Sequence, residues 1–413
     1  MDEARTLAVA ETIVAEGLRG TSEARLVADF ARALGDCGLS LLRVNLSRRD
    51  LHPTSYGLDL EWWRGDDEAK RMDYLAQDVE AFRAADPDTF PFGYMYRNNE
   101  PKLRERLLET NEPSRFPLLD TLRERGATDY FACDTPMGNA DDVGPFAGFT
   151  TSWVTDAADG FSDADIACIE RLLPMLGIAV KAASTYSVAD TLLATYLGAD
   201  AGRRVLHSEI RRGEVESIRA VLWLCDLRDF TRIADTAAAD QLTEMLNGAY
   251  ECMGEALAEQ GGEILKFMGD GLLAIIRVED GADPAEACRR AMKAAWQAHE
   301  CIRERNHKRD VLGLPIGDPT LALHLGDVLY GNVGASDRLD FTVVGPAVNE
   351  VSRIEAMSRQ VDRDILFSAD FVAALAPEQK AKTVSLGRYA LRGVSRAQEL
   401  FTLAPDLLPA AEG

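Results

Sequence analysis

The chain has 413 residues, 46% of them apolar and 27% charged, with a formal net charge of −23. That length predicts two or three domains, and the acidic balance excludes a nucleic-acid partner, which would call for a basic face. No apolar run approaches the ~18 residues of a membrane span, and Asp2, Glu3 and Arg5 do not make a signal-peptide layout. Seven scattered cysteines without a Cys-x-x-Cys, and five dispersed histidines, give neither a disulfide framework nor a zinc site. A cytoplasmic location with reduced thiols is expected.

Residues 1–185 read as one domain. It opens with a helix over 11–34, continues through strand-like runs over 40–46, 57–63, 129–134 and 147–154, and closes with a helix over 162–184. The longest apolar stretch, 172–180, contains Pro174 and Gly177 and reads as a buried part of that last helix. A helix, antiparallel-looking strands and a terminal helix resemble a GAF-like or PAS-like sensory module. The run Gly148-Phe149-Thr150-Thr151-Ser152-Trp153, then Phe161-Ser162-Asp163-Ala164-Asp165-Ile166, resembles the last strand and helix of a GAF domain. The resemblance implies a small-molecule or protein ligand whose identity the residues do not give. Trp62, Trp63, Phe82, Phe90, Phe92, Tyr94, Tyr96, Tyr130 and Phe131 could line a pocket for a flat ligand or simply pack as core and loop residues.

Residues 186–214 form a connector. Leu192, Leu193, Tyr196 and Leu197 predict a helix that Gly198 and Gly202 interrupt; Val205, Leu206 and Ile210 resume the apolar stripe, and Arg211-Arg212-Gly213 ends it. It is too short and broken for a long coiled coil and suits a short dimeric connector.

The next part, 215–405, carries the chemistry. An apolar run over 218–225 predicts a buried strand that ends on Asp226. Phe230 starts a helix, and the N–H groups of Phe230 and Thr231 at such a start could cradle a polyphosphate. Residues 240–259 have helical spacing, with Leu242, Met245, Leu246, Ala249, Met253 and Leu257 on one face. Gly261-Gly262 stops that helix; followed by Glu263, Ile264 and Leu265, it is read as a stop rather than a GGEEF signature. A strand over 263–268 then turns through Gly269-Asp270-Gly271 into a second strand over 272–278, which places Asp270 in a hairpin. Asp226 alone reads as a helix cap and Asp270 alone as a turn residue. Brought together by neighbouring strands, they form an oxygen-only site of the kind Mg²⁺ or Mn²⁺ prefers. Farther on, Pro346 suits the first turn of a helix that puts Asn349 and Arg353 at i and i+4 on one face, an amide and a guanidinium fit for a sugar and a phosphate. Residues 406–413 read as a loose tail.

Four motifs in this order carry a resemblance to the class III nucleotidyl cyclases: Asp226-Leu227-Arg228-Asp229-Phe230-Thr231, Lys266-x-x-Gly269-Asp270-Gly271, Gly331-Asn332-Val333-Gly334, and Val344-Gly345-x-x-Val348-Asn349-x-x-x-Arg353. The resemblance implies an α+β chain: a GAF-like or PAS-like sensory domain, then a ferredoxin-like (βαββαβ) cyclase domain. It implies that Asp226, Asp270 and the backbone carbonyl of Leu227 hold two Mg²⁺ or Mn²⁺ ions per site. Lys266 and Thr342 would read the adenine edge, Asn349 would orient the ribose and Arg353 would stabilise the transition state, with Arg392, in Leu391-Arg392-Gly393, a candidate for the triphosphate. Many family members have Asp where this chain has Thr342; the subgroup with Thr includes bicarbonate-responsive cyclases and leaves bicarbonate sensitivity open. A guanylyl cyclase would typically carry Glu in place of Lys266 and Cys in place of Thr342, so ATP is the expected substrate and cyclic AMP and pyrophosphate the expected products. In the family the Asn and Arg reach the site from a second catalytic domain, so a chain with one such domain is expected to act as a homodimer. The alternatives are a catalytically weak nucleotide-binding module with this fold, or a guanylate cyclase.

Overall fold

The computed structural model describes residues 3–49, 55–75, 87–108, 113–138, 148–208, 211–393 and 397–404. Phe82, Ile210 and the expected tail at 406–413 lie outside the described residues. The chain divides into two compact units, 1–192 and 193–413.

The first unit begins with α1 (Glu3–Leu18) and α2 (Glu23–Asp36), where one helix over 11–34 was expected. The break has a local cause. Gly20 takes a positive φ of 78°, and the Ser22 side chain then accepts from the Arg25 N–H to start a new helix. Then come β1 (Leu41–Arg49), β2 (Ser55–Trp63), β3 (Lys70–Leu75), α3 (Pro91–Asn98), β4 (Lys102–Arg106), α4 (Pro117–Glu124), β5 (Asp129–Pro136) and β6 (Gly148–Thr155). The strands form one antiparallel sheet in the order β3-β2-β1-β6-β5-β4. Each face has its own core. Phe30, Leu34, Val44, Leu46, Trp62, Phe131, Trp153 and Leu172 pack on one; Met95, Phe116, Leu119, Tyr130 and Val154 pack on the other. The aromatic residues singled out in the sequence therefore do not line one pocket. Trp62 and Phe131 belong to the first core, Tyr130 with Trp63, Phe92 and Tyr94 to the second, and Phe90 and Tyr96 are exposed. Neighbours such as Tyr130 and Phe131 must face opposite sides of a strand.

The closing helix, α5 (Asp163–Leu197), runs well past the expected end at 184, through Pro174 and into the connector. Gly198, at φ 91°, breaks it, and α6 (Ala199–Leu206) follows.

The second unit is built from β7 (Val215–Leu227), α7 (Phe230–Thr236), α8 (Ala239–Glu259), β8 (Glu263–Met268), β9 (Gly271–Arg277), α9 (Pro284–Val311), β10 (Pro319–Gly334), β11 (Leu339–Val344), α10 (Pro346–Glu355), α11 (Ser358–Val361), β12 (Ile365–Ser368), α12 (Ala369–Ala374), α13 (Pro377–Lys380), β13 (Thr383–Tyr389) and β14 (Gln398–Leu403). The sheet order is β13-β14-β12-β10-β7-β9-β8, with β11 paired to β10. Within it, β7, α8, β8, β9, α9 and β10 make a βαββαβ unit with strand order β10-β7-β9-β8. Both faces are covered, which is why β7 is almost continuously apolar. Val221, Trp223, Cys225 and Leu227 pack with Met253, Leu257 and Ala291 of α8 and α9, and Ala220, Leu222 and Leu224 pack with Ala347, Val351 and Ile354 of α10. A disulfide joins Cys252 of α8 to Cys301 of α9, where free thiols were expected. Its 49-residue separation carries no spacing signature; the two cysteines meet because the helices pack side by side.

Candidate active site

The site forms where β7 ends beside the β8–β9 hairpin. Cys225 pairs with Leu272 and Met268 with Gly271, so Gly269 and Asp270 are a two-residue turn abutting Asp226. Gly269 supplies the positive φ, 69°, that such a tight turn uses. Gly271 allows the close approach: a Cβ there would run into the Cys225 carbonyl oxygen and meet Asp226 Oδ1 at 3.2 Å. Tyr250 of α8 clamps the turn from behind, its hydroxyl donating to the Gly269 carbonyl and its ring 4.5 Å from that of Phe267.

Burial raises the pKa of Asp226 to about 7, reinforced by the neighbouring Asp270 carboxyl and by the charge of Glu355. Glu355, at the end of α10, is a third acidic neighbour that the sequence reading missed. Thr320, opposite Asp226 in the β10 register, sets its hydroxyl 2.8 Å from Glu355 Oε1 and 3.3 Å from the Asp226 carbonyl oxygen. No spacing rule links residues 226, 320 and 355; only the strand register does. Neighbouring carboxylates at a half-buried strand end are a donor set that a divalent cation would relieve, with the carbonyl of Leu227 next along the strand.

After Leu227 the chain turns sharply. Asp229 adopts a left-handed φ of 58°, and α7 begins at Phe230, with Thr231 exposed. Arg228 leaves the site: its guanidinium pairs with Asp364 Oδ1 at 3.0 Å.

Lys266 lies half-buried on β8, and β11, which carries Thr342, packs against that strand. Thr342 is buried, and its hydroxyl has no hydrogen-bond partner among the described residues. An orphaned buried hydroxyl costs about 1–3 kcal/mol, a cost that a substrate group reaching it would remove. Asn349 and Arg353 stand on the exposed face of α10, opposite the buried Ala347, Val351 and Ile354. Arg392 is exposed in the turn that precedes β14, with β12 and β10 between that strand and β7 in the sheet. So Asp226 and Leu227 at the end of β7 meet Asp270 of the hairpin, Phe230 and Thr231 follow at the start of α7, Lys266 and Thr342 lie on strands in contact, and Asn349, Arg353 and Arg392 are exposed on other elements of the unit.

Residues 216–404 match the family model described as the adenylate and guanylate cyclase catalytic domain. This segment is similar to an adenylate and guanylate cyclase catalytic domain. The chain is 32% identical to an adenylate cyclase of Anabaena cylindrica over 171 residues, covering 40% of this chain and 33% of that one. It is 27% identical to adenylate cyclase 2 of Rhizobium meliloti over 237 residues, or 57% of this chain and 63% of that one. The chain thus spans about a third of the length of the first relative and under two thirds of the second. Among solved structures, the adenylyl cyclase CyaB from P. aeruginosa is similar at 22% identity and a TM-score of 0.41, over 46% of this chain and 96% of that one; the guanylyl cyclase Cya2 is similar at 24% and 0.40, over 46% and 93%. No helix among the described residues is long and apolar enough to cross a membrane.

Proposed function

We propose that the chain is an adenylate cyclase that converts ATP to 3′,5′-cyclic AMP and pyrophosphate in a homodimer, under control of its N-terminal unit. The observation that carries the reading is the Asp226–Asp270 pair, set side by side by the β7 end and the β8–β9 hairpin within the segment that matches the cyclase model. The names of the two adenylate cyclase relatives point the same way.

Asp226, Asp270 and the Leu227 carbonyl would hold two Mg²⁺ or Mn²⁺ ions, which lower the pKa of the ribose 3′-hydroxyl and neutralise the leaving pyrophosphate. The chain's own side chains do the positioning. Lys266 donates to adenine N1, and the orphaned Thr342 hydroxyl accepts from the N6 amine. Guanine, with a donor at N1 and an acceptor at O6, meets Lys266 with the wrong polarity and leaves buried groups unpaired. The N–H groups of Phe230 and Thr231 take the terminal phosphates, with Arg392 a further candidate. Asn349 and Arg353 of the partner subunit orient the ribose and take up charge on the transferring phosphoryl group as the 3′-oxygen bonds to the α-phosphorus and the bridge to the β-phosphate breaks. Exposure of Asn349 and Arg353 on α10 supports a site completed across a two-fold axis. In the first unit, the six-stranded antiparallel sheet with helices supports a GAF-like sensory reading.

The test is incubation of the purified chain with Mn²⁺ and either ATP or GTP, measuring both cyclic nucleotides. Cyclic AMP should form at least tenfold faster than cyclic GMP, and Asp270→Asn should lower the rate by orders of magnitude with the fold intact. Equal rates on the two nucleotides would refute the purine assignment; near-normal activity in Asp270→Asn would refute the metal assignment.

A further inference from the structure

Dispersed in sequence, three side chains of the second unit converge away from the Asp226–Asp270 pair: His324 from the middle of β10, Glu350 from α10 and Asp370 from the first turn of α12. One ligating atom from each lies within 4.8 Å of the others. His324 is 3% exposed. Its Nδ1 lies 2.9 Å from Ser368 Oγ, which also accepts from the Phe371 N–H as the cap of α12. Its Nε2 has no hydrogen-bond partner among the described residues and is aimed at Glu350 Oε2, 3.7 Å away.

We propose that His324, Glu350 and Asp370 form a Zn²⁺ site distinct from the catalytic metals. At 3.7 Å the ring and the Glu350 carboxylate are too far apart to hydrogen-bond. They are near the ~3.4 Å that separates two ligands of a tetrahedral zinc with bonds of about 2.0–2.2 Å. Asp370, exposed at a helix start, has the freedom to close the remaining gap. One imidazole and two carboxylates suit zinc rather than the all-oxygen preference of magnesium or calcium, and a water would fill the fourth position. Ser368 supplies the outer contact that a metal-bound histidine uses: when Nδ1–H donates to Ser368 Oγ, the Nε2 lone pair faces the two carboxylates. Without a cation that arrangement sets a lone pair against two anions. The ion would tie β10, α10 and α12 together and so brace the helix that bears Asn349 and Arg353.

The experiment uses the full chain carrying Asp226→Asn, which weakens metal binding at the carboxylate pair, dialysed against Zn²⁺ with the bound metal counted. That parent should hold one equivalent, and adding either Asp370→Asn or Glu350→Gln should weaken binding at least tenfold. Zn²⁺ should raise the Tm of the parent but not of the Asp370→Asn form. Because Asp370 is exposed, that variant should match the parent in metal-free circular dichroism and Tm even if changes at buried His324 do not fold. Co²⁺ in place of zinc should give visible absorption that both variants lose. No zinc on the parent, or the same stoichiometry and affinity in both variants, overturns the proposal. None of these readouts depends on cyclase activity.

Discussion

Asp226 sets the pH behaviour of the site. Its carboxyl, ordinarily ionised well below neutrality, is raised to about 7 by burial, by the neighbouring Asp270 carboxyl and by the charge of Glu355. A metal binding there must displace that proton, so apparent Mn²⁺ affinity should fall as pH drops below about 7, approaching tenfold per unit. Above that pH the dependence should flatten. Folding linkage in the metal-free protein has the matching sign. A carboxyl whose folded pKa exceeds its unfolded value contributes stability that is complete below the unfolded pKa, about 4, and lost as pH rises through about 7. Titrating Mn²⁺ dependence of activity between pH 5.5 and 8.5 in the native chain checks the first expectation, and urea unfolding of the native chain and of Asp226→Asn across the same range checks the second. A Mn²⁺ requirement independent of pH would show that Asp226 does not hold its proton up to neutrality. Glu355 and Thr320 matter here as supports, and neither could be found by motif, since their place beside Asp226 comes from strand register alone.

At the scale of elements, the β8–β9 hairpin is the part most exposed to small changes. Gly271 lacks a Cβ where one would meet the Cys225 carbonyl and Asp226 Oδ1. Gly271→Ala should push the hairpin off β7, costing about 1–3 kcal/mol of stability as overpacking does, and should raise the Mn²⁺ concentration needed for half-maximal activity about tenfold by parting the two carboxylates. Urea unfolding and a Mn²⁺ titration measure the two effects; unchanged Mn²⁺ dependence would show that the hairpin does not set the site. This hairpin was legible in the sequence because its cues are local: an apolar run, a Gly-Asp-Gly turn and another apolar run. Asp226 at a strand end and Pro346 at a helix start were legible for the same reason. Other features were not. The break between α1 and α2 turns on Gly20 and Ser22, two residues inside an otherwise helical pattern. The end of α5 at Leu197 rather than near 184 reflects a stripe that continues through Val188. The disulfide between Cys252 and Cys301 and the grouping of His324, Glu350 and Asp370 depend on tertiary packing that no local window contains.

For the whole molecule, two questions follow from where the site residues stand. If the proposed metal and purine residues and the exposed Asn349 and Arg353 act from different subunits, a lone chain has two half-sites and a two-fold pair has two whole ones. Mixing inactive Asp226→Asn protein with inactive Arg353→Ala protein should recover activity, toward a quarter of the native rate if the chains exchange at random, because half the dimers are mixed and each holds one intact site. A mixture that stays inactive although subunits exchange would refute the shared site. Control by the first unit would then act through the connector. In the second unit, α6 is tied to the sheet by a polar network: Asp200 Oδ2 accepts from Arg204 at 2.9 Å, Arg277 at 3.0 Å and the Tyr330 hydroxyl at 3.1 Å, while Arg204 and Arg277 also reach Glu216 at 2.8 and 3.2 Å. Glu216 stands at the start of the strand that ends in Asp226, so a displacement of α6 is delivered to β7 itself. A ligand of the first unit can bias the pairing of two catalytic domains only by its differential affinity for the two arrangements, commonly ~1–3 kcal/mol. A fragment starting near Tyr186 keeps α6 and the whole catalytic domain. Compared with the full chain at concentrations where both are dimeric, it should differ in basal rate and lose any response to added cell-extract small molecules. Asp200→Asn in the full chain should blunt that response while leaving ATP affinity within about twofold, since Asp200 touches none of the proposed substrate residues. Matching rates, affinities and responses in the full chain and the fragment would reduce the first unit to a tether.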